Sequence, residues 1–274
     1  MRRLLAAALL AALPVGTAAA AATATLPPAI ASKGSLTVAI VPNYPPMEFR
    51  GPATNALTGF DVDLGEALGR KLGLKIDWQE TSFAQMLSSL STGRVDAILS
   101  GMGDLASRHA VATFVDYLRS GPQFFVLSAN ATSYKTIDAV CGHHVGASSR
   151  TSFPKEIAAW STAHCGGNPV IFVGTNGSAD ARTQLREGRI DVAVQGSETM
   201  PNIMKQEPGT YTLVGKPIAY QFTGLAVAKT DPALSTAIAG ALSAMIADGS
   251  YQALTMKWGL GPDGLDKVTI DAGQ

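Results

Sequence analysis

A guanidinium such as that of Arg108 can hold an acid, because its fork meets both oxygens of a carboxylate in one plane and keeps its charge at any accessible pH. Just before it, Gly101 and Gly103 carry no side chains, so a carbonyl and an amide there can meet a ligand directly. As a dinucleotide fingerprint Gly101-Met102-Gly103 fails, lacking the third glycine and the following acidic residue. Ser149, Arg150, Thr151 and Ser152 precede a helix with Pro154 in its first turn. Their hydroxyls and amides form a small anion-friendly terminus, and the same residues also read as an ordinary helix cap. Cys141 and Cys165 lie beside His143, His144 and His164. The thiols can pair, or thiolates and imidazoles can take zinc, although adjacent histidines project differently and the spacing matches no common zinc module. No Gly-x-Ser-x-Gly elbow, His-Glu-x-x-His pair or P-loop occurs, so nothing in the sequence requires catalysis.

A chain of 274 residues that is 46% hydrophobic and 15% charged can build two domains with their own cores. Its 21 basic residues balance its 21 acidic ones, so no net field favours nucleic acid or an anionic membrane as partner. Arg2 and Arg3 precede an apolar run from Leu4 to Leu13. Pro14 and Gly16 break that run ahead of a small-residue tract, Ala18 to Ala22, and the whole reads as a secretory signal peptide over residues 1–24. The run is shorter than the ~20 residues of a bilayer span, and no cysteine follows it for lipid attachment. Export into an oxidising compartment favours the disulfide between Cys141 and Cys165, with no metal and no cofactor expected.

Short apolar runs alternate with helix-period segments, which indicates an α/β fold. Leu36 to Val41 reads as strand, Phe60 to Leu72 as helix, Leu74 to Trp78 as strand and Phe83 to Leu90 as helix. Further on, Thr136 to Val140 and Ser152 to His164 read as helices, Val170 to Val173 as strand, Ser178 to Glu187 as helix and Ile190 to Gln195 as strand. Strand Leu225 to Lys229 precedes helices Asp231 to Asp248 and Tyr251 to Trp258. One unit occurs twice, 95 positions apart: Leu90, Gly93, Arg94, Val95, Asp96, Ala97 to Gly101, and Leu185, Gly188, Arg189, Ile190, Asp191, Val192 to Gly196. Two similar lobes follow, with Asp96 and Asp191 as turn residues and with strand ends facing one crevice, as in open α/β sheets. Gln123 to Ser128 and Pro217 to Gly224 are the candidate crossings, and two such strands make a hinge.

These segments carry a resemblance to family 3 of the bacterial extracellular solute-binding proteins, which serve polar amino-acid ABC importers. The carriers are Gly34-Ser35-Leu36-Thr37-Val38, Tyr44-Pro45-Pro46-Met47-Glu48-Phe49, Leu57-Thr58-Gly59-Phe60-Asp61-Val62-Asp63-Leu64, Gly93-Arg94-Val95-Asp96-Ala97, the run Gly101 to Arg108, and Asp248-Gly249-Ser250-Tyr251 through Lys257-Trp258-Gly259. The resemblance spans roughly residues 34 to 260 and implies a type 2 periplasmic binding protein-like fold, two lobes joined by two hinge strands, closing on a ligand. Lobe 1 would comprise residues 25–128 and 221–274, and lobe 2 residues 129–220. It further implies Arg108 as carboxylate clamp, Tyr44 and Phe83 as aromatic walls, and Gly101, Gly103, Ser149, Arg150, Thr151 and Gln195 as the rest of the ligand shell.

Three departures stand out: Leu105 where the family usually has threonine, Arg150 where it often has glycine, and Gly196 where it commonly has the aspartate that pairs with an α-ammonium group. Either Asp104, Glu48 or Glu198 substitutes, or the ligand is an acid without a conventional amine, and Arg150 as a second cation would suit two acidic groups. The expected protein is a periplasmic monomer that captures a small carboxylate-bearing solute and delivers it to ABC permease subunits, without catalysis. The rival readings are a secreted dehydratase on the same fold, with Glu48 or Glu198 as general acid, and a ligand-sensing module.

Overall fold

The computed structural model describes residues 25–273, so the expected signal peptide lies outside the described residues. The chain begins with α1 (Pro28–Lys33), β1 (Ser35–Ile40), the short strands β2 (Asn43–Tyr44), β3 (Glu48–Arg50) and β4 (Leu57–Thr58), α2 (Phe60–Leu72), β5 (Lys75–Glu80), α3 (Met86–Ser91), β6 (Ala97–Ile98) and β7 (Ala112–Ser120). Next come β8 (Pro122–Leu127), β9 (His144–Ser148), α4 (Phe153–His164), β10 (Ile171–Thr175), α5 (Ser178–Arg186), β11 (Val192–Gly196), α6 (Met200–Gln206) and β12 (Tyr211–Val214). The chain closes with β13 (Gln221–Ala228), α7 (Pro232–Ala247), α8 (Ser250–Lys257) and β14 (Thr269–Ile270).

Two sheets result. The first has the order β14-β7-β13-β6-β1-β5 and the second β10-β9-β11-β8-β12, while β2, β3 and β4 form a small ribbon beside the first. Within the first, β1 runs parallel to β5 and β6, and β13 antiparallel to β6 and β7. Within the second, β9 runs parallel to β10 and β11, and β8 antiparallel to β11 and β12. This is the expected two-lobe α/β architecture. Helix α2 forms because Leu64 and Leu68 lie on one buried stripe, acids Asp61 and Asp63 sit in its first turn, and Arg70 and Lys71 in its last, complementing the helix dipole before Gly73 ends it at φ 70°. Helix α7 lays Leu234, Ile238, Leu242 and Met245 on the first sheet's core, and Asp231 caps it by accepting the Leu234 N–H.

The repeat read from the sequence is a structural one. Gly93 and Gly188 both turn the chain at φ 69°. Asp96 then accepts the Thr37 N–H at 2.7 Å, and Asp191 accepts the His144 N–H at 2.9 Å, so each aspartate fastens its strand to the parallel neighbour. Both are turn residues, as expected.

The first crossing differs from the expectation. Residues 122–128 do not belong with lobe 1: β8 pairs with β11 and β12, and Phe124, Phe125 and Val126 are buried in the second lobe. The apolar run is a core strand, and the chain changes lobes at Gly121. A Cβ on Gly121 would lie 1.7 Å from the Ala219 carbonyl oxygen, so the outgoing and returning segments pass too closely for any side chain. The returning segment crosses just before β13, within the expected stretch. Two other elements differ in detail, a 3₁₀ turn over Phe83–Gln85 preceding α3 and another replacing the helix at Ile137–Val140. Strand β7 went unread because burial on both faces leaves its pattern without a period of two.

Cys141 and Cys165 form a disulfide, so their sulfurs are not available to zinc. His164 instead stacks on Trp160 at 5.3 Å, and His143 meets the Tyr134 hydroxyl at 3.2 Å. The bond ties the 3₁₀ turn to the end of α4 across 24 residues. Replacing both cysteines by serine is expected to lower unfolding stability by about 3.5 kcal/mol on the chain-entropy account, read from urea denaturation midpoints. An unchanged midpoint would contradict it.

Candidate functional site

The carboxyl ends of the parallel strands in both lobes converge on one cavity of about 320 Å³. Val41 follows β1, Ser82 and Phe83 follow β5, and Ser100, Gly101 and Gly103 follow β6. From the second lobe Ser148 ends β9, Thr175 ends β10 and Glu198 follows β11. Backbone pairing fixes the first wall: Gly103 bridges to Thr223 of β13, the Gly224 N–H donates to the Met102 carbonyl at 3.0 Å, and the Asp104 N–H to the Phe222 carbonyl at 2.8 Å.

Arg108 reaches into this space from the 3₁₀ turn Ala106–Arg108. Its Nη1 donates to the Gly103 carbonyl at 2.5 Å, and its guanidinium stands 5.9 Å from the centre of the Phe83 ring. Among the described residues Arg108 makes no ion pair. Burial lowers its pKa from the ordinary value while Asp104 opposes the change, and it remains charged. Phe83 and Tyr44 both line the cavity.

The second lobe supplies Arg150, Thr151 and Ser152. Thr151 donates to the Ser148 carbonyl at 2.9 Å and accepts the Phe153 N–H at 3.2 Å, so the capping reading of this segment holds alongside its place in the cleft. Arg150 is exposed. Two expected residues lie elsewhere. Ser149 turns its hydroxyl toward Gly174 of β10, and Gln195 is buried beneath the cavity, accepting from Arg182 at 2.8 Å and donating to Thr199 at 2.7 Å. Asp104 also leaves the list of candidate acids: it is fully buried behind the wall, paired with His109 and accepting the Gly273 N–H at 2.6 Å.

Sequence reading missed Ser82, Ser100, Ser120, the stretch Thr175 to Ala179, Gln221 and Thr223. The signal for Thr175 to Ala179 was present: Asn176-Gly177-Ser178 joins a strand end to the start of α5, the same situation that singled out Gly101. Gln221 and Thr223 begin β13 and face the cavity only because the returning crossing enters there.

Two carboxyl groups line the cavity while almost wholly buried, Glu48 at 1% and Glu198 at 5% exposure. Tyr44 and Glu48 are cross-strand partners in the ribbon. The Tyr44 hydroxyl donates to Glu198 Oε1 at 2.8 Å across the lobes, and Ser100 donates to Glu48 Oε1 at 2.9 Å. A second contact between the lobes joins Ser152 to the Gln221 side chain at 3.0 Å. Behind Glu48 lies Asp61, which accepts the Gly101 N–H at 2.7 Å and the Tyr117 hydroxyl at 3.0 Å. Burial pushes Asp61 up to about 7, and burial together with the Asp61 charge pushes Glu48 well above its ordinary value. Burial raises Glu198 as well.

The bacterial extracellular solute-binding proteins, family 3, match residues 36–261 of this chain. The L-cystine-binding protein TcyJ of Escherichia coli K12 is 29% identical over 231 residues, 84% of each chain. An ancestral arginine-binding protein bound to arginine superposes with a TM-score of 0.72 at 27% identity, covering 82% of this chain and 98% of that one. The ancestral amino acid-binding protein AncCDT-1, a precursor of cyclohexadienyl dehydratase, gives a TM-score of 0.72 at 25% identity, covering 84% and 97%.

Carboxyl groups whose folded-state pKa is raised bind protons that the unfolded chain has already released, so the stability they confer is full below about pH 4 and fades as pH climbs to about 7. Asp61, facing Glu48 and Tyr117, and Asp116, also pushed up to about 7 by burial, act in the same direction. The melting midpoint is expected to fall between pH 4 and pH 7, and Asp61→Asn to shrink that fall. A midpoint that rises steadily across this window would refute the upward shift of these buried carboxyls.

Proposed function

This chain belongs to the bacterial extracellular solute-binding proteins, family 3, and from that membership we propose that it captures a polar amino acid or related small carboxylate in the periplasm and delivers it to the membrane subunits of an ABC importer. The observation that carries the reading is Arg108: a half-buried guanidinium, paired with no carboxylate among the described residues, facing a cavity between two lobes with an aromatic ring beside it. A ligand carboxylate supplies the missing counter-charge as a two-toothed partner. Gly101 and Gly103 leave backbone groups open to it, and the second lobe brings Ser148, Thr151 and the start of α5 from the other side.

The crossings at Gly121 and before β13 are the hinge. A monomer that opens and shuts there needs no cofactor, and binds in one lobe before the other closes over. Capture at micromolar concentration corresponds to about −8 kcal/mol. The relatives named for cystine and arginine binding support an amino acid as ligand. We further propose that binding occurs without turnover. A dehydratase would use Glu48, whose carboxyl burial pushes well above its ordinary value and which lines the cavity, as general acid. Incubation with prephenate, followed by absorbance, is expected to show no product, and turnover would replace the binding reading.

A thermal-shift screen over amino acids, opines and dicarboxylates is expected to find at least one compound that raises the melting midpoint. For that compound, Arg108→Ala should lose about 2 to 5 kcal/mol of affinity by calorimetry, since one partner of a desolvated charge pair is removed. Unchanged affinity would remove Arg108 from the site.

A further inference from the structure

Behind the wall that carries Arg108, two carboxylates and an imidazole meet. Asp104 Oδ1, His109 Nε2 and Asp271 Oδ1 all lie within 4.8 Å of one another, the one such set of three donors among the described residues. Asp104 and His109 flank the turn Ala106–Arg108, and Asp271 follows β14, so residues distant in sequence close on that turn. His109 Nε2 stands between the two acids, in hydrogen-bond contact with Asp104 and 3.9 Å from Asp271 Oδ1. Asp104 is wholly buried, whereas the His109 and Asp271 side chains are 21% and 23% exposed, which leaves the set open to solvent on one side.

The acids are oriented by an outer row of bonds, as metal ligands are. The Gly273 N–H donates to Asp104 Oδ2 at 2.6 Å, and Lys229 Nζ donates to Asp271 Oδ2 at 2.8 Å. Each Oδ1 is left to the imidazole side, that of Asp271 also accepting the Phe114 N–H at 2.7 Å. Asp116 of β7 is the second observation. It is wholly buried, its Oδ2 accepts the Thr269 hydroxyl at 2.6 Å, and its Oδ1 has no hydrogen-bond partner among the described residues. Its carboxyl faces that of Asp104, and burial together with that neighbouring charge pushes it up to about 7. Glu48 and Asp61 also leave one buried oxygen each unpartnered, but no third donor closes with them. Of the cations nearby, Lys229 is spent on Asp271 and Arg108 is turned to the Gly103 carbonyl. Two buried carboxyls thus press on one imidazole, a concentration of acid that a cation relieves.

We infer that Asp104, His109 and Asp271 form a zinc site outside the cleft, with Asp116 adding negative charge from beneath, and that the ion staples residues 269–273 to the turn that carries Arg108. Two carboxylate oxygens and an imidazole nitrogen are donors zinc accepts, and water can fill its fourth position. Zinc bonds of about 2.0–2.2 Å set tetrahedral ligands about 3.3–3.5 Å apart, so Asp271 closes slightly on the imidazole while Asp104 and the imidazole part. The ion takes the place of the proton between His109 Nε2 and Asp104 Oδ1, and that proton passes to solvent. None of the three residues lines the cavity, so the site stands or falls independently of the capture reading.

The test is calorimetric titration of zinc chloride into the untagged protein, first freed of metal by a chelator and dialysed, with zinc per chain counted by atomic emission. One zinc per chain is expected at a dissociation constant of about 1 μM or tighter, together with a raised melting midpoint. Magnesium chloride should bind at least about 100-fold more weakly, because that ion demands an octahedral shell of oxygens. His109→Ala, His109→Gln and Asp271→Asn should each weaken zinc by about 10-fold to 100-fold. The double variant His143→Ala with His144→Ala, which removes two exposed histidines beside Asp191, should leave zinc affinity unchanged. Absence of stoichiometric zinc, or full affinity retained in either His109 variant, overturns the inference. Should the His109 variants fail to fold, the double variant decides: zinc lost there places the ion on the surface histidines and overturns the inference, and zinc kept there upholds it.

Discussion

A guanidinium held half-buried without a carboxylate partner among the described residues is the constraint around which the cleft is arranged. Arg108 keeps its charge wherever it sits, so the protein must meet that charge with dipoles and π density. The Gly103 carbonyl and the Phe83 ring do so, and both are held by backbone: Gly103 by its bridge to Thr223, Phe83 by the 3₁₀ turn that follows β5. Partial neutralisation of this kind leaves the arginine oriented and still short of an anion. On the capture reading, a ligand carboxylate gains an interaction whose orientation has already been prepared by folding.

Much of the fold was legible because the chain states it twice. The unit ending at Gly101 and the unit ending at Gly196 share their glycine turns, and their aspartates do the same work of fastening one parallel strand to the next. Helices α2 and α7 announce themselves through capped, striped segments. What stayed hidden has a physical reason in each case. Strands β7 and β8 are buried on both faces, so their residues show no alternation, and Phe124-Phe125-Val126 reads equally well as a linker between lobes or as a core. Only the pairing partners, which lie 68 to 90 residues away in β11 and β12, decide the matter.

The cleft was legible in proportion to how local its geometry is. Gly101 and Gly103 were read from their place after a strand end and Tyr44 and Arg108 from the family resemblance, and all four line the cavity. Ser149 and Thr151 are two residues apart, yet one hydroxyl turns to Gly174 and the other caps α4, a choice made by the start of the helix and by the neighbouring strand. Glu198 could be named as an acid near Gly196, but whether it faces the cavity depends on the turn after β11. That turn is pinned by the Ser197 N–H donating to the Gly121 carbonyl at 2.8 Å and by the Gly121 N–H donating to the Ser197 hydroxyl at 3.2 Å.

These last bonds connect the hinge to the site. Gly121 is the residue where the chain changes lobes, and the loop it holds is the one that carries Glu198. On the capture reading, rotation about the crossing would move Glu198 relative to the ribbon that carries Tyr44, and the bond between them belongs to a closed or nearly closed arrangement. The same holds for Ser152 and Gln221. Contacts of this kind are each worth about 1 kcal/mol net, so two of them bias the lobes toward each other without locking them. A lobe equilibrium so balanced responds to a ligand in proportion to how much better the closed form binds it.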